Sequence, residues 1–135
     1  MFLMENNQDS MVDTLKNINY VTITDNGEKK TIEKNDKDFK KVIGGLEKIY
    51  NKGFLMPAFG VSLHDETIKA MEEGVWLELS YLSEQVKNGL PFTSLLIKIE
   101  DGYGFNIIRK YGGRFEGRCL YLSLDRETHL EDILP

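Results

Sequence analysis

Cysteine occurs once in this chain, as Cys119, so no internal disulfide can staple the fold and nothing points to an oxidising compartment. Histidine occurs twice, at His64 and His129. With Cys119 this is a thin set of ligands for a zinc site, and no metal and no cofactor are expected. Arginine is missing from residues 1–90, which carry eleven lysines; all four arginines (Arg109, Arg114, Arg118, Arg126) fall within eighteen residues near the C-terminus. The opening Met1-Phe2-Leu3-Met4-Glu5 has too short an apolar run, and no basic leader, for a signal peptide, so the cytoplasm is the expected compartment.

What is present is ordinary globular material. A hydrophobic content of 41% beside 29% charge argues against both disorder and a membrane span. At 135 residues the chain can bury a core unaided. Residues 1–9 read as a frayed terminus and residues 10–135 as a single α+β domain. A net charge of -5 argues on electrostatic grounds against a broad nucleic-acid-binding face.

Periodicity sets the expected order of elements. Ser10 and Asp13 open a short helical turn. Tyr20 to Thr24 and Lys29 to Glu33 flank Asn26-Gly27, a dipeptide suited to a type I′ hairpin that would oppose Thr22 to Thr31 and Val21 to Ile32. Asp36 caps a helix whose apolar positions Phe39, Val42, Ile43, Leu46, Ile49 and Tyr50 follow helical spacing up to Gly53. Gly44 and Gly45 inside it imply a close neighbour. The segment Phe54 to Leu63 is apolar but broken by Pro57 and Gly60, which suits an edge strand or an irregular buried stretch. A second helix is expected from Asp65 to Glu73, with Ile68 and Met71 inward.

From Val75 the period becomes two, and four strands succeed one another, ending around the Gly112-Gly113 turn and a last helical turn near Leu130. The expected architecture is therefore a mainly antiparallel sheet, an N-terminal hairpin plus a C-terminal four-stranded meander, packed with two principal helices.

The candidate site is the last hairpin. A two-residue loop at Gly112-Gly113 would oppose Tyr111 to Arg114, Arg109 to Glu116, Ile107 to Arg118 and Phe105 to Leu120. Guanidinium groups grip carboxylates and phosphates bidentately, and tyrosine adds rigid contact area. Arg109, Tyr111, Arg114, Glu116 and Arg118 are thus the expected binding residues. A plain Arg109–Glu116 cross-strand pair would explain the same residues without a function.

Other clusters are weaker. His64, Asp65 and Glu66 lie at a helix start, where acids serve the cap and the dipole. Cys119 in mid-strand reads as a small buried hydrophobe. Glu78, in a strand, is explained by a pair with Lys98. Gly102-Tyr103-Gly104 lacks the third glycine of a dinucleotide loop. The function expected is a small non-enzymatic binding or regulatory module of bacterial type, taking another protein or a small anionic ligand at the cationic-aromatic tip. Its rival is a small enzyme with a carboxylate/His site drawn from Glu78, His64 and Asp65, and arginines for an anionic substrate.

Overall fold

The structure, a computed structural model, describes residues 10–56 and 60–135. The frayed terminus expected at residues 1–9, and the 57–59 part of the apolar segment, lie outside the described residues.

Strands β1 (Ile18–Asp25) and β2 (Glu28–Glu33) turn at Asn26 and Gly27, whose φ values of 49° and 90° are the positive pair that a type I′ turn requires. Val21 pairs with Ile32 and Thr22 with Thr31, as the sequence implies. Helix α1 (Lys37–Lys52) starts where the Asp36 carboxylate accepts the Asp38 N–H at 2.8 Å, and it stops at Gly53, whose N–H reaches the Tyr50 carbonyl. It buries Val42, Leu46, Ile49 and Tyr50. The two interior glycines differ. A Cβ on Gly45 would stand 2.8 Å from Ile133 Cγ2, so close packing explains it, whereas one on Gly44 would meet nothing within 4 Å.

Strand β3 (Phe54–Met56) comes next, then β4 (Val61–Ser62) and helix α2 (His64–Ala70). The second helix is shorter than expected, and Ile68 is not inward: it is 44% exposed, while Thr67 and Met71, four residues apart on one face, are buried. Strands β5 (Val75–Lys87), β6 (Leu90–Lys98), β7 (Gly102–Lys110), β8 (Gly117–Arg118) and β9 (Leu120–Thr128) complete the set. Short 3-10 turns lie at Val12–Leu15 and Leu130–Ile133.

The main sheet has seven strands in the order β2-β1-β5-β6-β7-β9-β3, and all its pairs are antiparallel; β4 and β8 form a separate two-stranded ladder. The fold is α+β, with the expected meander β5-β6-β7-β9 at its centre. The N-terminal hairpin extends one side, and β3 is the edge strand on the other.

Alternation divides the sheet's side chains between two faces. One face, with Val21, Leu77, Leu79, Leu95, Ile97, Ile107 and Leu122, joins Val42, Leu46 and Ile49 of α1 in the main core. The opposite face carries a small second cluster of Met71, Trp76, Leu96 and Phe115. Among the described residues no helix is long and apolar enough to cross a membrane.

Two registers depart from expectation. Glu78 pairs with Leu96, not Lys98: four residues of β5 (Tyr81 to Glu84) but only Thr93 of β6 lie between the Ser80–Ser94 and Gln85–Phe92 pairs, which moves the residue opposite Glu78 from Ile99 to Leu96. In the last hairpin Tyr111 does oppose Arg114, yet Ile107 pairs with Leu120 and Phe105 with Leu122. The Arg109–Glu116 and Ile107–Arg118 pairs therefore do not form. Residues 115–119 leave the ladder to build β8 against β4.

Candidate functional site

The tip is a two-residue turn with φ of 63° at Gly112 and 79° at Gly113. The Tyr111 N–H donates to the Arg114 carbonyl at 2.9 Å, and the Arg114 N–H returns a 3.3 Å bond. Beyond Arg114 the arm turns onto β4 and α2. The Phe115 N–H donates to His64 Nδ1 at 3.0 Å, the Ser62 hydroxyl donates to the Phe115 carbonyl at 3.1 Å, and the Cys119 N–H donates to the Gly60 carbonyl at 2.9 Å. Phe115 buries its ring in the second cluster. That burial gives the arm a reason to abandon the ladder.

The five expected binding residues separate into two groups. Arg109 lies on the core side of β7, 7% exposed, and directs its donors to main chain: Nε to the Arg118 carbonyl at 2.7 Å and Nη1 to the Pro91 carbonyl at 2.5 Å. Burial lowers its pKa from the usual guanidinium value. It brackets the detached arm to β6 and does not converge with the tip. Tyr111, Arg114, Glu116 and Arg118 are exposed. Arg114 Nε meets Glu116 Oε1 at 2.9 Å, and that hydrogen bond, with the Glu116 and Asp65 charges behind it, raises the Arg114 pKa. Arg118 has no ion pair among the described residues.

The β4–β8 ladder adds two residues that sequence reasoning passes over. Val61 is the Cα partner of Arg118 and is 67% exposed; Leu63 is 50% exposed, with Ser62 between them buried. Alternation puts Val61 and Leu63 on one side. They border a crevice of about 260 Å3 between β4, α2 and the sheet, which Thr67, Ala70, Trp76 and Ile108 also line. The apolar-polar-apolar pattern of Val61-Ser62-Leu63 was the available signal.

The rival acid/base set does not assemble as one site. His64 Nδ1 accepts the Phe115 N–H, which places its ring proton on Nε2, and the ring stacks on Phe115 with centroids 6.2 Å apart. Glu78 faces a different hollow, where its nearest cation is Lys110 at 3.8 Å. Lys98 instead meets Glu100 at 3.5 Å. Cys119 is buried, and burial pushes its thiol pKa up, against the opposing effects of Ser62 and Arg109. A protonated thiol is a poor nucleophile.

Asp101, Glu127 and His129 offer ligand atoms within 4.8 Å of one another, all on exposed side chains. His129 Nδ1 lies 3.0 Å from Asp101 Oδ2. Hydrogen bonds from Glu131 and His129 hold the Asp101 carboxyl below its ordinary range, and the bond to Asp101 raises His129.

A comparison with protein families, with curated proteins and with solved structures finds no match to this chain.

Proposed function

We propose that this chain is a non-enzymatic binding module for a protein partner, and that the partner seats an apolar side chain in the crevice beside Val61 and Leu63 while setting a carboxylate against Arg118. The observation that carries this reading is the pairing of Val61 with Arg118 on the β4–β8 ladder: exposed apolar surface lies directly beside a cation with no ion pair among the described residues. Arginine beside an apolar anchor is a common composition for the energetic centre of an interface. Tyr111, 46% exposed at the tip, adds rigid area at low entropic cost. Arg114 and Glu116 form the polar rim. The cytoplasm stays the proposed compartment, on the single buried thiol.

Peptide display against the immobilised protein tests the reading. Enriched peptides should carry a large apolar residue close to Asp or Glu. Leu63→Asp and Arg118→Glu should each weaken a synthetic copy of the best peptide about tenfold or more, equivalent to about 1.4 kcal/mol. No enriched motif, or a peptide indifferent to both changes in folded variants, would remove the proposal.

A further inference from the structure

On the sheet face opposite α1, two ladders lose register at the same level. The β1–β5 pairing is irregular between Ile18 and Tyr20, opposite Tyr81 and Ser80, and the β5–β6 pairing is irregular between Ser80 and Gln85. Bulges of this kind bend a strand and redirect its side chains. A trough of about 420 Å3 lies at this level, within the usual size range of small-molecule sites, roughly 300–1,000 Å3.

Its floor is set by register. Tyr20 pairs with Ser80, Ser80 with Ser94 and Ser94 with Lys110, one polar row across four strands. The next row runs from Thr31 through Thr22 to Glu78. None of the trough's lining residues is shared with the crevice beside Val61.

Three features of the lining select a ligand. The first is hydrogen bonding. Ser80 and Ser94 are 7% and 6% exposed, and their hydroxyl oxygens are 3.4 Å apart. Two hydroxyls carry two protons, and their mutual contact uses one, so the second proton is available to a ligand in the trough. The second is charge. Lys29 and Lys110 face a single carboxylate, Glu78, so the trough has one cation in excess. Lys110 stands 3.8 Å from Glu78 and 5.2 Å from the Phe115 ring centroid, a position that keeps donors free for a further anion. The third is Glu78 itself, whose side chain is 13% exposed. An ionised carboxylate only accepts, so it needs O–H or N–H donors from whatever fills the trough. A bare anion such as acetate would leave it opposed to like charge.

We propose that the trough binds a small polyhydroxylated anion, a sugar acid or sugar phosphate, with the acid group at Lys110 and Lys29 and the hydroxyls at Glu78, Ser80 and Ser94. The two sources share the chemistry that is recognised here, an acid group next to several hydroxyls.

The test is an NMR titration of the isotope-labelled full chain with glucuronate, gluconate and glucose 6-phosphate, and with glucose, acetate and inorganic phosphate as controls. At least one of the first three should give saturable shifts at the amides of Glu78, Ser80, Ser94 and Lys110, and bind at least about tenfold tighter than every control. Whether the sugar acids or the phosphate win identifies the source. Lys110→Met, which keeps the stem over Phe115, should weaken that ligand about tenfold, and Lys29→Met on the exposed edge strand should weaken it less. The proposal is overturned by absence of saturation up to ~10 mM. It is also overturned by equal binding of glucose, acetate or phosphate, by shifts confined to the hairpin tip, or by affinity unchanged in both folded lysine variants.

Discussion

Two of the hairpins in this molecule begin alike and end differently. Both turn on a positive-φ pair, Asn26-Gly27 in one and Gly112-Gly113 in the other. After Asn26-Gly27 the strands zip without interruption from Asp25–Glu28 to Tyr20–Glu33. After Gly112-Gly113 only Tyr111–Arg114 pairs before the second strand departs, and pairing resumes at Ile107–Leu120, two residues out of step. A turn fixes its own closing pair; the pairing beyond it depends on which alternative buries more. In the first hairpin the ladder also buries Ile32, so both demands agree. In the second, Phe115 and Cys119 find burial against α2 and β4, and the extra residues leave the sheet as an arm that carries Arg118.

Removing the bracket is the strongest way to break this difference. Arg109→Met keeps bulk on the core side of β7 but takes away the donors to the Arg118 and Pro91 carbonyls. An orphaned acceptor costs about 1–3 kcal/mol where water cannot replace the donor, and both of these bonds are only partly buried, so the lower end of the range for the pair, a total loss of about 2–3 kcal/mol, is expected in urea unfolding. Amide exchange of Cys119, bonded to Gly60, should accelerate with it. If stability and exchange stay as they were, Phe115 alone holds the arm and Arg109 is incidental.

A smaller effect sharpens the comparison at the turns themselves. Gly27→Ala and Gly113→Ala each force a side chain into positive φ, at 90° and 79°, where no backbone atom lies closer than 3.9 Å. Such strain costs about 1–2 kcal/mol when the surroundings enforce it. The uninterrupted first hairpin should bear that cost in full. At the tip a single pair depends on the turn, so Gly113→Ala should cost under ~1 kcal/mol, the strain relaxing locally. Equal losses in paired thermal melts would mean that the tip is as rigid as the first turn.

The same contrast decides what could be read without coordinates. Helix α1 was legible because the Asp36 cap, the apolar spacing and the Gly53 stop agree with one another, and the first hairpin because its turn and its buried pair agree. The adjacency of Thr22 to Glu78, which puts the N-terminal hairpin beside the meander, leaves no trace in local periodicity, since a strand's pattern records which face is buried and not its neighbour. Glu78 was legible as an unusual acid, but its cation was not. The register of β5 on β6 sets Leu96 opposite Glu78, and Lys110, one strand further on, is the nearest cation. Arg109 looked like part of a cationic tip because a two-residue loop, extended naively, keeps it there. The burial of Phe115 and the competing pairing of residues 61–62 with 117–118 take the arm out of register.

The open ends of the two hairpins differ as well, and pH reads that difference. No ion pair crosses β1 and β2 among the described residues. Where β7 and β9 open, at the Gly102–Thr128 pair, His129 meets Asp101 at 3.0 Å. The bond to Asp101, its charge, and then the charges of Glu127 and Glu131 raise the His129 pKa, so His129 contributes stability below its unfolded value of about 6.5, and that contribution fades as pH rises through the higher folded value. Asp101 is shifted the other way, by hydrogen bonds that its carboxylate accepts, first from the Glu131 side chain and then from His129. Its contribution is present above the unfolded carboxyl value and fades as pH falls through the lower folded one. The clamp is therefore strongest in the mildly acidic window between the two. Both side chains stand in water, so the global effect should be the smallest of the three and is best tracked at the imidazole itself. In NMR titrations His129 should titrate above about 6.5 in the wild type and move back towards it in Asp101→Asn, with more fraying at Thr128. A His129 titration that Asp101→Asn leaves unmoved would show that the two open ends are equivalent, and that register alone holds the second hairpin closed.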